Sequence, residues 1–199
     1  TTFTGLSDGD HTFYVWATDQ HGNQQSIPTS RVWTVDTVPP NPQITSATII
    51  DGGVTTSTSV SFEFSSNDGQ ATFECALDDQ AYTLCSRIFG PVMVPEGDHT
   101  VFARAIDAAG NADPNPAHLT WTVDLTAPET TIGHSSVHDG GVSSRSEAKF
   151  SFSSNEVGAT FQCSLDGTAF SDCSSPATYH ELVDGSHTFQ VKSIDRVGN

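Results

Sequence analysis

The side chains able to do chemistry in this 199-residue sequence are four cysteines, 24 acidic residues and eight histidines. The cysteines fall as Cys75 with Cys85 in CALDDQAYTLC and as Cys163 with Cys173 in CSLDGTAFSDC. An Asp-containing turn lies inside each pair, so the chain can reverse there and bring two sulfurs within bonding range. A zinc site needs two close pairs of ligands, which a nine-residue gap does not provide, and dithiol redox chemistry uses Cys-x-x-Cys, which is absent. The spacing therefore predicts two structural disulfides. Each ring would stabilise its fold by about 2.5 to 3 kcal/mol through loop entropy, and both would need an oxidising compartment.

These cysteine pairs are 88 residues apart, and so is much else. WTVD at 33 to 36 recurs at 121 to 124, DGGV at 51 to 54 recurs at 139 to 142, and ATFECALD at 71 to 78 matches ATFQCSLD at 159 to 166. His11, His99 and His187 share one register, and Asp19, Asp107 and Asp195 share another. Self-similarity at a fixed step marks a repeat array. Residues 1–36 read as the last part of one repeat, 37–124 as a complete repeat, and 125–199 as a repeat lacking its last strand. The chain is thus expected to be a window on a longer repetitive protein.

Within a repeat, short runs rich in β-branched and aromatic residues alternate with Gly, Pro, Asp and Asn clusters, a pattern of all-β sandwiches. Val60, Phe62 and Phe64 fall on one strand face and Ser61, Glu63 and Ser65 on the other. Phe73, Cys75 and Leu77 share a face, as do Val101, Ala103 and Ala105, and Leu119, Trp121 and Val123. No segment sustains a helical period. The fold class is all-β: tandem immunoglobulin-like β-sandwiches of about 88 residues arranged end to end, each long enough to close a two-sheet core.

The stretches FECALDDQAYTLC, EGDHTVFARAIDAAGN and WTVDLTAPETTI resemble the tandem bacterial immunoglobulin-like repeats of large cell-surface and secreted proteins, including adhesins. The resemblance spans the whole chain. It implies a stalk or fibre located outside the cell or on its surface, some joints of which hold calcium, with neighbouring repeats of the same long chain as first partners and lateral copies in a fibre as further ones.

Topology gives the acidic residues a reason to converge. In such a sandwich the loop carrying Asp107 and Asn111 lies at the pole where the chain enters after Asp36, together with the loop of Asn67 and Asp68. The loop Ser7-Asp8-Gly9-Asp10 faces the same joint. At the second joint the set is Glu96, Asp98, Asp124, Asn155, Glu156, Asp195 and Asn199. Carboxylate and amide oxygens are the ligands that a hard cation prefers, so calcium is assigned to Asp36, Asp68, Asp107, Asn111, Asp124 and Asp195. The plainer role for the same Asp residues is to accept backbone N–H groups in tight turns, and no stretch has EF-hand spacing. Pro39, Pro40, Pro42 and Pro128 stiffen the joints in either case.

Catalysis is not expected. The histidines recur in three copies, which fits a turn or packing role, and there is no G-x-S-x-G elbow or phosphate cradle. A net charge of −17 opposes binding to nucleic acid or anionic lipid, and no apolar run approaches the roughly 18 residues of a membrane helix. Strand alternation turns Tyr14 and Trp16 away from the Phe13 and Val15 face, where they could stack on a glycan or a protein ligand. The expected function is a non-catalytic rod, stalk or extracellular filament segment supporting adhesion. The competing readings are a glycan- or protein-binding module and a fibre subunit completed by an incoming strand.

Overall fold

The computed structural model describes residues 2–199, and among them it is all-β. Sixteen strands follow in order: β1 (Gly9–Val15), β2 (Thr29–Val35), β3 (Pro42–Ala47), β4 (Gly53–Thr55), β5 (Ser59–Ser66), β6 (Thr72–Leu77), β7 (Thr83–Cys85) and β8 (Ile88–Met93), then β9 (Gly97–Ile106), β10 (Ala117–Val123), β11 (Thr130–Ser135), β12 (Ala148–Ser154), β13 (Thr160–Leu165), β14 (Ser171–Cys173), β15 (Ala177–Tyr179) and β16 (Phe189–Ile194). The described residues divide into two compact units, one of residues 2–52, 59–93 and 99–120, the other of residues 53–58, 94–98 and 121–199.

In the first unit β3, β5 and β8 form one antiparallel sheet. A second layer is built around β6, which pairs with β7 on one side and β9 on the other. The alternation read from the sequence decides the core. Val60, Phe62 and Phe64 on β5 are 1% exposed or less, and Val101, Ala103 and Ala105 on β9 are fully buried. Phe64 meets Phe73 of the other sheet with ring centroids 6.0 Å apart. The two layers are held by apolar burial, the dominant favourable contribution to folding.

The second unit repeats this plan with β11-β12-β15 as one sheet and β14-β13-β16 as the other. Phe152 of β12 packs edge-on against Phe161 of β13 at 5.0 Å, and Phe150 stacks on Phe189 of β16 at 4.1 Å. Equivalent strands keep the 88-residue step: β3 and β11 begin at 42 and 130, β6 and β13 at 72 and 160, β7 and β14 at 83 and 171. Even the irregularity in register recurs, between Ile44 and Ser46 and between Ile132 and His134. Such bulges add local twist at a set place in a sheet.

β1 and β2 form a two-stranded sheet. The residues assigned to its inner face, Phe13 and Val15, are 38% and 47% exposed, although their counterparts Val101 and Ala103 are fully buried. Among the described residues β1 pairs only with β2, and Phe13 meets only the Phe3 ring, at 5.6 Å, so a two-stranded sheet leaves this face open.

Candidate functional site

The cysteine hairpins take the expected form. Cys75 is bonded to Cys85 and Cys163 to Cys173, each across a Cα separation of 5.8 Å. The bonds are diagonal across β6 and β7 and across β13 and β14, because the residues directly opposite Cys85 and Cys173 are Phe73 and Phe161, two residues before Cys75 and Cys163.

The turn that follows β6 and β13 explains the recurring histidines. Asp78 and Asp166 both adopt φ of 53°, a left-handed conformation that Asp tolerates because its short side chain can bond locally. Asp78 Oδ1 accepts the Thr100 N–H at 2.8 Å and its Oδ2 lies 3.0 Å from His99 Nδ1. Asp166 holds Thr188 and His187 in the same way, both at 2.8 Å. These Asp residues tie the disulfide hairpin to the neighbouring strand, which is a structural role. His11 instead bonds the Ser7 carbonyl at 2.7 Å and stacks on Trp33.

His187 also reaches the Val183 carbonyl at 2.8 Å through Nε2. Both of its partners only accept, so making both bonds requires the doubly protonated ring. The Asp166 hydrogen bond, followed by that to Val183, raises the His187 pKa above its ordinary 6.5. Hydrogen bonds from His187 and then from the Thr188 N–H hold Asp166 below 3.8. The histidine contribution to stability is complete below about pH 6.5 and is lost as pH rises through its raised value, while the aspartate contribution is complete above about pH 3.8 and is lost as pH falls through its lowered value. Thermal unfolding of wild type and His187→Gln should therefore differ most below about pH 6.5 and converge as pH rises through the raised value. A difference independent of pH would show that this ring contributes no titration-linked stability.

The Asp residues of the D-x-x-G-N loops form three copies of one turn. Asp19 Oδ1 accepts N–H groups of His21 and Asn23, Asp107 Oδ1 accepts that of Asn111, and Asp195 Oδ1 accepts those of Val197, Gly198 and Asn199. Gly22, Gly110 and Gly198 supply φ of 88°, 92° and 98°, values that side-chain-bearing residues rarely adopt. At Asp107 the side-chain hydrogen bond from Asn111 lowers the pKa. At Asp195 burial pushes the pKa up, but the hydrogen bonds from Asn199, Gly198 and Val197 together outweigh it and leave the carboxyl below its ordinary value.

Asn111 is placed beside the first acidic set as a donor. Its side-chain nitrogen gives hydrogen bonds to Asp107 Oδ2 at 2.8 Å and to the Asp36 carbonyl at 3.0 Å. Asn199 repeats this with Asp195 Oδ2 at 2.9 Å and the Asp124 carbonyl at 3.0 Å. Each amide is a latch between the loop and the residue that opens the linker entering the same repeat. Asp36 and Asp124 also accept the N–H two residues on, from Val38 at 3.1 Å and Thr126 at 3.2 Å.

The loop carboxylates assigned to the joints have local partners. Asp8 accepts from Thr37 and Asp10 from Thr34, while Asp98 accepts from Thr122 at 2.6 Å and Glu96 from the Thr126 hydroxyl. What converges is Asp124, Glu156 and Asp195, each with a carboxylate oxygen within 4.8 Å of the others. The half-buried Glu156 has its pKa raised, first by burial and then by the negative charges of Asp124 and Asp195. Asp36, Asp68 and Asp107, each 88 residues earlier, line one open depression with Val38, Pro39, Pro40 and Asn67. Glu156 is one methylene longer than its counterpart Asp68 and so reaches further toward its neighbours.

Tyr14 and Trp16 are 51% and 46% exposed and stack on each other at 6.1 Å. At the equivalent outer positions of the next repeat, Arg104 bonds Glu74 at 2.7 Å and sits 4.5 Å above the Tyr82 ring. Lys192 lies over Phe170 in the third.

No protein-family model and no curated protein matches the chain. Among solved structures it is similar to a Ca2+-stabilized adhesin that helps an Antarctic bacterium reach out and bind ice, at 17% identity over 96% of this chain and 54% of that one, with a TM-score of 0.35. It is similar also to a tetra-tandem repeat in the extending region of a large adhesion protein, at 21% identity over 98% of this chain and 55% of that one, with a TM-score of 0.33. An α-L-rhamnosidase of Streptomyces avermitilis matches at 11% identity over 76% of this chain and 22% of that one, with a TM-score of 0.32. The chain thus spans about half the length of the two adhesin chains and about a fifth of the rhamnosidase.

Proposed function

We propose that this chain is a non-catalytic spacer segment of an extracellular or surface protein, in which disulfide-closed β-modules succeed one another through short latched linkers. The observation that carries this reading is the recurrence of one linker arrangement at an 88-residue step: Asn111 on the Asp36 carbonyl, and Asn199 on the Asp124 carbonyl, each also anchored to its own loop aspartate. A machine that works by length needs the same joint many times, whereas an active site needs one. The disulfides suit an oxidising exterior, and the excess of negative charge keeps neighbouring chains apart.

Calcium fits this reading at Asp124, Glu156 and Asp195. The donors are all oxygen, which suits calcium, and they lack the imidazole or thiolate typical of zinc. Burial and then the negative charges of Asp124 and Asp195 raise the Glu156 pKa, and a divalent cation would relieve the second of these. In the bound state these three carboxylates would hold the ion at the start of the linker that follows β10, and carbonyl or water oxygens would complete its shell.

Small-angle scattering of the 199-residue chain tests the spacer, and thermal unfolding with calcium and with chelator tests the ion. The spacer reading expects an elongated particle whose maximum dimension exceeds that of a 199-residue globule, and a compact profile would overturn it. Calcium at one hundred times its dissociation constant should add about 2.7 kcal/mol to the stability of the module that binds it. Asp195→Asn should remove most of that gain, and an equal response in wild type and variant would exclude the triad as the binding site.

A further inference from the structure

Proteases nick exposed loops of small polar residues, where the backbone opens at little cost. The chain has only seven basic side chains, and the fold withholds six of them from such attack. Arg31, Arg104, Lys149 and Lys192 stand within β2, β9, β12 and β16. The Arg87 carbonyl accepts the Phe64 N–H at 2.8 Å, and Arg196 lies inside the turn in which Asp195 gathers the N–H groups of Val197, Gly198 and Asn199. Arg145 differs. It lies between β11 and β12 in a segment where every residue from His138 to Glu147 is exposed and none is in a strand. Its N–H bonds Ser143 Oγ at 3.0 Å, and among the described residues no hydrogen bond or ion pair holds its guanidinium. One repeat earlier the same turn recurs, with the Ser57 N–H on Thr55 Oγ1 at 3.0 Å, but there Gly53–Thr55 form β4 on β10 and a serine stands where Arg145 does.

We propose that the Arg145–Ser146 bond is a processing site for an arginine-directed serine protease. The acidic specificity pocket of such an enzyme takes the free guanidinium, and Ser143, Ser144 and Ser146 present little bulk to its cleft. Hydrolysis breaks the bond between the Arg145 carbonyl carbon and the Ser146 nitrogen. Water gives its hydroxyl to the carbon and a proton to the nitrogen, and the new acid then protonates the new amine. No disulfide spans the cut, because Cys75 and Cys85 lie in residues 1–145 and Cys163 and Cys173 in residues 146–199. Across it remain the pairing of β11 with β12, the Thr130 and Ser193 hydroxyls 2.7 Å apart, and the Asn199 amide on the Asp124 carbonyl at 3.0 Å. β11 buries little, with Ile132 47% exposed. Cleavage thus turns a continuous chain into two pieces held without a covalent bond, a point at which the spacer proposed above can be shed.

Limited digestion of the folded 199-residue chain with trypsin, in the absence of reductant, tests the site. The first products should be residues 1–145 and 146–199, identified by mass. They should elute together on native size exclusion and part in urea without reductant. Arg145→Gln should slow the first cut by about tenfold or more. Ser146→Pro, which keeps the arginine but blocks the bond after it, should slow it equally, and proline retains the carbonyl that accepts the Leu182 N–H. Both positions are exposed, so neither change disturbs the core. A first cut at any of the other six basic residues overturns the proposal, as does an unchanged rate in the two variants. Products that stay joined in urea overturn it as well. These digests judge the cleavage site alone, since the spacer reading stands or falls on the scattering profile.

Discussion

Phe64→Ala is expected to destabilise the second repeat by about 3 to 5 kcal/mol, the range for truncating a buried phenylalanine. Phe64 is fully buried and touches aromatic rings on both layers: Phe62 and Phe89 at 6.5 Å within its own sheet and Phe73 at 6.0 Å across the core. Its removal leaves a cavity bounded by the rings of Phe62, Phe73 and Phe89, and a close-packed core relaxes only partly around such a void. Phe152, 88 residues on, is 5% exposed and meets Phe161 edge-on, so its alanine variant should fall in the same range. Phe13→Ala, on the open hairpin, should cost under about 1 kcal/mol. Urea unfolding followed by far-ultraviolet circular dichroism measures all three. Equal losses at Phe13 and Phe64 would mean that burial does not set the energetics.

Replacing Cys75 and Cys85 together by serine should lower stability by about 2.7 kcal/mol, the loop-closure entropy of a ring spanning ten residues. The Cys163 and Cys173 pair closes a ring of the same size and should cost the same. The two losses should add, because the pairs lie in different compact units. Denaturation with and without reductant checks the figure independently of mutation. If the double-serine variant kept wild-type stability, the ring would be ornamental to the unfolded chain and the entropic account would fail. If both losses were much larger, the polar serines at Cys75 and Cys163, sites 2% and 3% exposed, would be responsible.

Both predictions draw on features legible in the sequence, because they depend on local periodicity. Alternation of Val60, Phe62 and Phe64 with polar neighbours specifies a one-sided strand whatever lies opposite, and two cysteines flanking a tight turn have few other ways to meet. The D-x-x-G-N turn was readable for the same reason, since Asp19, Asp107 and Asp195 bond only within five residues. Glu156 was legible as a member of a large acidic set, but its singling out was not. That needed the loop after β12, the start of the linker and the loop after β16 to meet, which is a matter of long-range packing. Asn111, assigned from its oxygen as a calcium ligand, presents its nitrogen to Asp36 and Asp107, and composition cannot distinguish the two ends of an amide.

By itself the sequence determined the all-β character, the 88-residue step, the cysteine pairing and the turn chemistry, because each is set by residues near one another along the chain or by a pattern repeated along it. Tertiary structure alone decided which equivalent segments behave alike. Phe13 and Val101 share a register, yet one is exposed and the other buried, because burial requires a second layer. Gly53-Val54 and Gly141-Val142 are identical pairs, yet only the first joins a strand, because a short edge strand exists only through the hydrogen bonds of its neighbour.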